Sequence, residues 1–163
     1  MKEIVKPLMQ WYAKHARTLP WRSDPTPYHV WLSEIMLQQT RVEAVIGYYD
    51  RFLEELPDVQ SLAAVSEERL LKLWEGLGYY NRARNLQKAA VQICEQYQGK
   101  FPESYEEWLT LPGIGAYTAG AVTSIAFGKK EAAVDGNVYR IYTRLYADDT
   151  EISKTAFQRN VRE

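Results

Sequence analysis

The sequence carries a single cysteine, Cys94, in 163 residues. One thiol closes no internal disulfide and supplies no cysteine cluster of metal-ligand spacing. It lies among helix formers, Val91-Gln92-Ile93-Cys94, and reads as a small buried hydrophobe. Long apolar runs are also missing. None approaches the ~20 residues that span a bilayer, and the opening Met-Lys-Glu-Ile-Val-Lys lacks the apolar stretch of a signal peptide. The expected setting is therefore cytoplasmic (nucleoid-associated in a bacterium), with no membrane partner. Charge of one sign is missing too: 20 Lys and Arg against 21 Asp and Glu leave a net charge of −1. Nucleic-acid binders are usually basic, yet backbone N–H groups and a local basic face can hold phosphates while acidic residues cover the far side. What is abundant is apolar and aromatic. Hydrophobic residues make up 46%, with 12 tyrosines and 5 tryptophans, so the chain is globular. Its length suffices for one good core or two small lobes around a cleft.

The pattern is helical throughout, with no convincing strand. Residues 3–17 are amphipathic. Thr26 caps a helix that has Pro27 at its first position and runs to about Gln39. Others are expected over 41–56, as a short turn over 61–65, from Ser66 to Gly76, and over 80–98. Ser104 and Glu107 form a capping box. A helix over 116–127 stops at Gly128, another spans 137–146, and Ser153 caps a last segment still helical at Glu163. Stretches 18–26 and 129–136 read as irregular.

Residues 111–117, Leu-Pro-Gly-Ile-Gly-Ala-Tyr, join two of these helices. Pro112 fixes a turn, and Gly113 and Gly115 leave room for a close backbone. The helix opening at Ala116 presents free N–H groups that suit a phosphate. Such a helix–hairpin–helix grips a DNA backbone without reading sequence. An ordinary helix–helix turn would look the same.

Two carboxylates stand out. Glu34 shares a helix face with Val30, Leu37 and Gln38. Apolar neighbours make its charge costly, so it is either an Arg-paired structural residue or a general acid of raised pKa. Asp135, in Val-Asp-Gly-Asn, is either a helix cap or a fixed carboxylate facing a cleft, the latter if Asn137 takes the cap. A pair of carboxyls suits glycosidic-bond cleavage: one protonates the leaving group and the other stabilises an oxocarbenium-like sugar. A nucleobase is such a leaving group once its nucleotide is flipped out of the duplex. Gln38-Gln39-Thr40 and Gly76-Leu77-Gly78-Tyr79-Tyr80 close two helices with amides and aromatics that could wedge into the base stack.

In order along the chain, Leu-Pro-Trp-Arg (19–22), Pro-Tyr-x-Val-Trp-Leu-Ser-Glu-Ile-Met-Leu-Gln-Gln-Thr (27–40), Gly-Leu-Gly-Tyr-Tyr-x-Arg-Ala-Arg-Asn-Leu (76–86), Leu-Pro-Gly-Ile-Gly-x-Tyr-Thr-Ala-Gly-Ala (111–121) and Val-Asp-Gly-Asn-Val (134–138) resemble the MutY-type adenine DNA glycosylases of the helix–hairpin–helix superfamily. The resemblance implies removal of adenine mispaired with 8-oxoguanine or guanine, by a monomeric enzyme acting on double-stranded DNA. It implies that Glu34 is the acid protonating adenine N7, that Asp135 stabilises the sugar cation, and that Tyr117 stands near both. Gln39 and Tyr79 match residues inserted into the duplex. Gln38, Thr40, Leu111, Gly113 and Gly115 fall in its DNA-binding segments, and Trp21, Arg22 and Leu37 around the base pocket.

The implied fold is all-α. A six-helix barrel lobe spans 20–130 with the helix–hairpin–helix at 105–127. An N-terminal helix (1–20) packs with a second lobe that begins at 131–163. The family's four [4Fe–4S] cysteines and its 8-oxoguanine-reading domain would lie beyond Glu163, so no metal or cofactor is expected on this chain. Endonuclease III-like enzymes cleave the strand through a Schiff base and need a lysine nucleophile. Tyr117 stands at that position, and no lysine falls between 101 and 128, which favours a monofunctional enzyme. A thymine glycosylase acting on T·G mismatches and a non-catalytic DNA-binding module are the alternatives.

Overall fold

The computed structural model describes residues 2–162. Among them there is no strand, and no helix is long and apolar enough to cross a membrane. Eleven helices follow in order: α1 (Lys2–His15), α2 (Pro20–Ser23), α3 (Pro27–Leu37), α4 (Val42–Glu55), α5 (Val59–Ala64), α6 (Glu67–Trp74), α7 (Asn81–Tyr97), α8 (Tyr105–Leu109), α9 (Ala116–Phe127), α10 (Gly136–Tyr146) and α11 (Thr155–Arg162).

Caps set most of these boundaries. The Thr26 hydroxyl accepts from the His29 N–H at 3.2 Å and opens α3, with Pro27 at the first position. Ser104 and Glu107 satisfy one another's backbone N–H groups at the start of α8. Some expectations are corrected. The stretch 18–26 is not wholly irregular, because Pro20 starts the single turn of α2. The short helix near 61 begins two residues earlier, at Val59, where Asp58 accepts from the Ser61 N–H at 2.7 Å. Ser153 does not cap α11: its hydroxyl bonds the Glu151 carboxylate at 2.5 Å in the preceding turn. Helix α3 ends at Leu37, so Gln38-Gln39-Thr40 lie past it as a turn.

One core runs from Leu19 to Val122, and α3 is its axis. Tyr28, Val30, Trp31, Leu32, Ser33, Ile35 and Met36 are all buried. Ser33 is tolerated there because its hydroxyl donates to the Val30 carbonyl at 2.8 Å. Trp31 meets Trp108 edge-on at 5.8 Å, and Phe101 stacks on Trp108 at 6.0 Å. Truncating a fully buried Trp to Ala typically costs ~3–5 kcal/mol. The main partner of α3 is α9. The buried stretch Thr118-Ala119-Gly120-Ala121-Val122-Thr123 is made of small residues, which lets other backbone approach α9 closely. At Gly120 a Cβ would lie 2.4 Å from the Ala132 carbonyl oxygen, so this glycine allows the segment after Gly128 to cross directly over the helix.

Beyond that crossing a small second cluster forms from Val134, Tyr139 and Phe157, with Tyr142 and Val161 against it. Helix α1 is exposed from Glu3 to His15, and the Tyr12 ring lies 5.7 Å beneath the Arg22 guanidinium.

Candidate active site

A cleft of about 650 Å³ opens between the end of α3, the start of α9 and the start of α10. Trp21, Arg22, Glu34, Leu37, Gln38, Thr40, Tyr117 and Asp135 all line it. The three residues expected to carry chemistry are thus brought together from positions about a hundred residues apart in the chain, and the expected pocket residues stand around them.

Glu34 projects from α3 on the face it shares with Val30, Leu37 and Gln38, all of which also line the cleft. Burial pushes its carboxyl above the ordinary glutamate range. The Tyr117 hydroxyl beside it acts in the opposite sense by favouring the charged form, the negative charge of Asp135 raises the pKa again, and Arg22 lowers it. Arg22 therefore acts at a distance and makes no ion pair with Glu34 among the described residues, so the Arg-paired structural reading of Glu34 gives way. Tyr117 is the second residue of α9. Its own hydroxyl is pushed well up by burial, then by the Glu34 charge it faces, so it keeps its proton.

Asp135 caps α10 itself. Its Oδ1 accepts from the Val138 N–H at 2.9 Å, and its Oδ2 accepts from the Asn137 amide at 2.7 Å. Of the two readings left open, Asp135 as cap is the one observed, and Asn137 braces the aspartate. The capping and cleft-facing roles do not exclude each other, because the capped side chain still borders the cleft.

A second, more open cleft of about 880 Å³ adjoins the first and shares Gln38 and Asp135 with it. Gln39 and Tyr79 line it, and both hold left-handed backbone, at φ 60° and 47°. For a non-glycine residue that conformation costs on the order of 1–3 kcal/mol, and Tyr79 keeps it while 65% exposed.

The reason lies in Arg82, to which sequence reasoning gave no role. Its Nη1 donates to the carbonyls of Ile35 (2.9 Å), Met36 (3.0 Å) and Gln38 at the end of α3. Its Nη2 donates to Leu77 (3.0 Å) and Gly78 (3.2 Å). The residue was visible in Tyr-x-Arg, but its partners are main-chain carbonyls that no side-chain pattern announces.

The hairpin forms as a tight turn. Leu111 and Ile114 N–H groups donate to the carbonyls of Trp108 (3.1 Å) and Leu111 (3.2 Å), and Gly113 is left-handed at φ 76°. A Cβ at Gly113 would meet Asn85 Cβ at 2.8 Å, so the close neighbour there is α7 of this chain. Gly115 faces open space and caps α9 with no side-chain bond, which leaves first-turn N–H groups presented outward. Leu111 is only 2% exposed; its side chain belongs to the core, and only its main chain could meet a nucleic acid.

The iron–sulfur cluster expected of the family does not fit these residues. Cys94 is half-buried on α7, with Sγ 3.8 Å from the Val59 carbonyl oxygen, and one thiol cannot supply four thiolates. Among the described residues no three His, Cys, Asp or Glu side chains group as metal ligands.

Residues 32–163 match the model of a family described as HhH-GPD superfamily base excision DNA repair protein. An adenine DNA glycosylase of Buchnera aphidicola subsp. Baizongia pistaciae (strain Bp) is 45% identical over 141 residues, covering 86% of this chain and 40% of the relative. The chain spans less than half the length of the curated relatives it matches. Among solved structures, a thermostable thymine-DNA glycosylase superposes with a TM-score of 0.89 at 28% identity, over 99% of this chain and 76% of that one. An endonuclease III trapped on DNA as a covalent intermediate gives a TM-score of 0.80 at 26% identity, over 96% of this chain and 71% of that one.

Proposed function

The chain belongs to the HhH-GPD superfamily of base excision DNA repair proteins, and from that membership we propose that it hydrolyses the N-glycosidic bond of adenine mispaired with 8-oxoguanine or guanine in double-stranded DNA. The observation that carries the reading is the meeting of Glu34, Tyr117 and Asp135 in one cleft, with burial holding the Glu34 carboxyl above its ordinary range. A carboxyl so placed keeps its proton at a pH where an exposed glutamate has lost it, and can deliver that proton to adenine N7 as the bond to the sugar breaks. The electron pair of the bond leaves with the base. The cation left on the sugar faces Asp135, whose orientation is fixed by the Val138 and Asn137 bonds, and water then adds to it. Tyr117 orients the acid and balances its protonation. Trp21, Arg22 and Leu37 border the extruded base; Gln38, Gln39, Thr40 and Tyr79 face the stack it leaves. The main chain of Leu111, Gly113 and Gly115 takes the phosphate backbone.

The division of the chain goes with this reading. Residues 20–130 form the barrel lobe with the helix–hairpin–helix at 105–127, residues 131–163 open the second lobe, and residues 1–20 accompany it; the separate cores on either side of Gly128 support that boundary. The protein acts as a monomer.

Single-turnover excision by the chain and its Glu34→Gln variant tests the proposal on A·8-oxoguanine, A·G and T·G duplexes. Gln keeps the shape without a carboxylic proton, and loss of general acid catalysis typically costs ~10²–10⁴-fold. A variant rate within about threefold of the parent would overturn the assignment of Glu34. The T·G arm addresses the thymine reading that the fold likeness favours. Borohydride added during turnover should trap no covalent adduct, because Tyr117 offers no amine.

A further inference from the structure

We propose that Arg82 is a positioning residue that holds Gln39 and Tyr79 as a matched pair of wedges, so that its loss impairs extrusion of the target base and leaves the grip on DNA intact. The inference rests on the reading of this cleft as the place where a base is extruded.

Gln39 and Tyr79 come from unconnected turns, one after α3 and one between α6 and α7, yet they border the same cleft. The second turn has left-handed glycines at Gly76 and Gly78 (φ 101° and 70°), but the wedge positions themselves, Gln39 and Tyr79, hold left-handed backbone without being glycine. Each is held through its neighbours. Arg82 bonds the Gln38 carbonyl just before Gln39 and reaches the Thr40 hydroxyl just after it, at 3.4 Å. On the other side it bonds Leu77 and Gly78, the two residues before Tyr79. The guanidinium carbon also lies 5.7 Å from the Tyr79 ring centroid and 5.4 Å from that of Trp74. One planar fork therefore spans both turns, caps the C-terminal carbonyls of α3 with positive charge, and sets the spacing between the two side chains. A lysine at this position keeps the charge but, as a compact point donor, cannot bond both turns at once. A wedge pair that must enter a base stack together depends on that spacing.

The test uses Arg82→Lys in the full chain, with Arg82→Met as a harsher second variant. Base opening is read from the fluorescence of 2-aminopurine placed beside a target adenine opposite 8-oxoguanine. Affinity is read in parallel on a duplex carrying an abasic analogue, which has no base to extrude. Opening should fall about tenfold in Arg82→Lys, within the range expected of groups coupled through one network. Affinity for the abasic duplex should stay within about twofold, since the phosphate contacts at the hairpin are untouched. Opening that stays at the wild-type level overturns the inference. So does an equal loss on both duplexes, or a variant unfolded at 25 °C, because each makes Arg82 a residue of the fold at large. A wild-type chain that opens the step but releases no base overturns the glycosylase reading and leaves the role of Arg82 standing. A wild-type chain that opens nothing overturns both.

Discussion

The two walls of the cleft are held in different ways. Glu34 stands on α3, whose other faces are packed with Trp31, Leu32 and Met36, each of them fully buried. Asp135 stands at the head of α10, behind which only Val134, Tyr139 and Phe157 are buried together. The first wall perturbs its carboxyl by desolvation, and desolvation requires a rigid, water-excluding scaffold. The second wall fixes its carboxyl by two local bonds, to the Val138 N–H and the Asn137 amide, so its orientation needs little core. Its distance from α9 is set separately, by the backbone contact that Gly120 permits.

The sharpest way to break this comparison is at Asp135. Asn keeps the bond from the Val138 N–H and removes the charge and the bond from the Asn137 amide, so Asp135→Asn should lower single-turnover excision ~10²–10³-fold, as for other preorganised charge-stabilising groups, with a melting midpoint lowered less than that of the Ala variant. Asp135→Ala should lose as much activity and also about 1 kcal/mol of stability with the cap. In a chain of this size that is a midpoint lower by about 2–4 °C. Equal melting of Asn and Ala variants would show that the cap does not hold this wall.

Gly120→Ala attacks position instead of charge. The new methyl would meet the Ala132 carbonyl oxygen, so the 130–135 segment must move and carry Asp135 with it. A displacement of about 1 Å can cost on the order of 10²-fold in rate. The pH profile should shift only slightly, because burial, the largest cause of the raised Glu34 pKa, is unchanged and only the smaller contribution of the Asp135 charge moves. A large shift would mean that moving Asp135 also disturbs the burial of Glu34.

Two smaller effects sharpen the account of the buried wall. Tyr117→Phe removes the hydroxyl that favours charged Glu34. The Glu34 pKa should rise further, and the alkaline limb of the rate profile should move to higher pH, with excision at neutral pH within about tenfold of the parent. Glu34→Gln should raise stability. A carboxyl whose pKa is raised by folding is protonated in both states at low pH and costs nothing there; as pH climbs past the ordinary carboxylate range, the folded state alone retains the proton, and stability falls. The variant should therefore melt a few degrees higher at pH 7.5, since about 1 kcal/mol moves the midpoint 2–4 °C, and the difference should vanish near pH 4. A gap that widened on acidification would contradict the raised pKa.

Much of the architecture was legible because it is written in local chemistry. The limits of α9 at Ala116 and Phe127, the Thr26 cap and the Ser104–Glu107 box each follow from residues within one turn. The Glu34 face was legible from helical spacing. What stayed hidden depends on backbone. Arg82 satisfies carbonyls, which every residue carries alike. The choice of Asp135 over Asn137 as cap turns on which residue first leaves helical geometry, and both side chains are good caps. Leu111 sits in a motif that reads as a contact surface, yet packing turned it inward. The single turn of α2 is too short for periodicity to register.

The hairpin runs directly into the helix that carries Tyr117. Gly115 ends the turn, and Tyr117, which lines the cleft with Glu34, follows only two residues later on α9. At about 1.5 Å of rise per residue, the two are some 3 Å apart along the helix axis. For a strand seated by its phosphate at that turn, α9 acts as a ruler. On the proposed reading it would present to the cleft whichever nucleotide lies at a fixed count from the seated phosphate, regardless of base. Moving the strand by one phosphate would keep every grip in place and exchange the inspected nucleotide for its neighbour, so scanning and chemistry can share a single set of contacts.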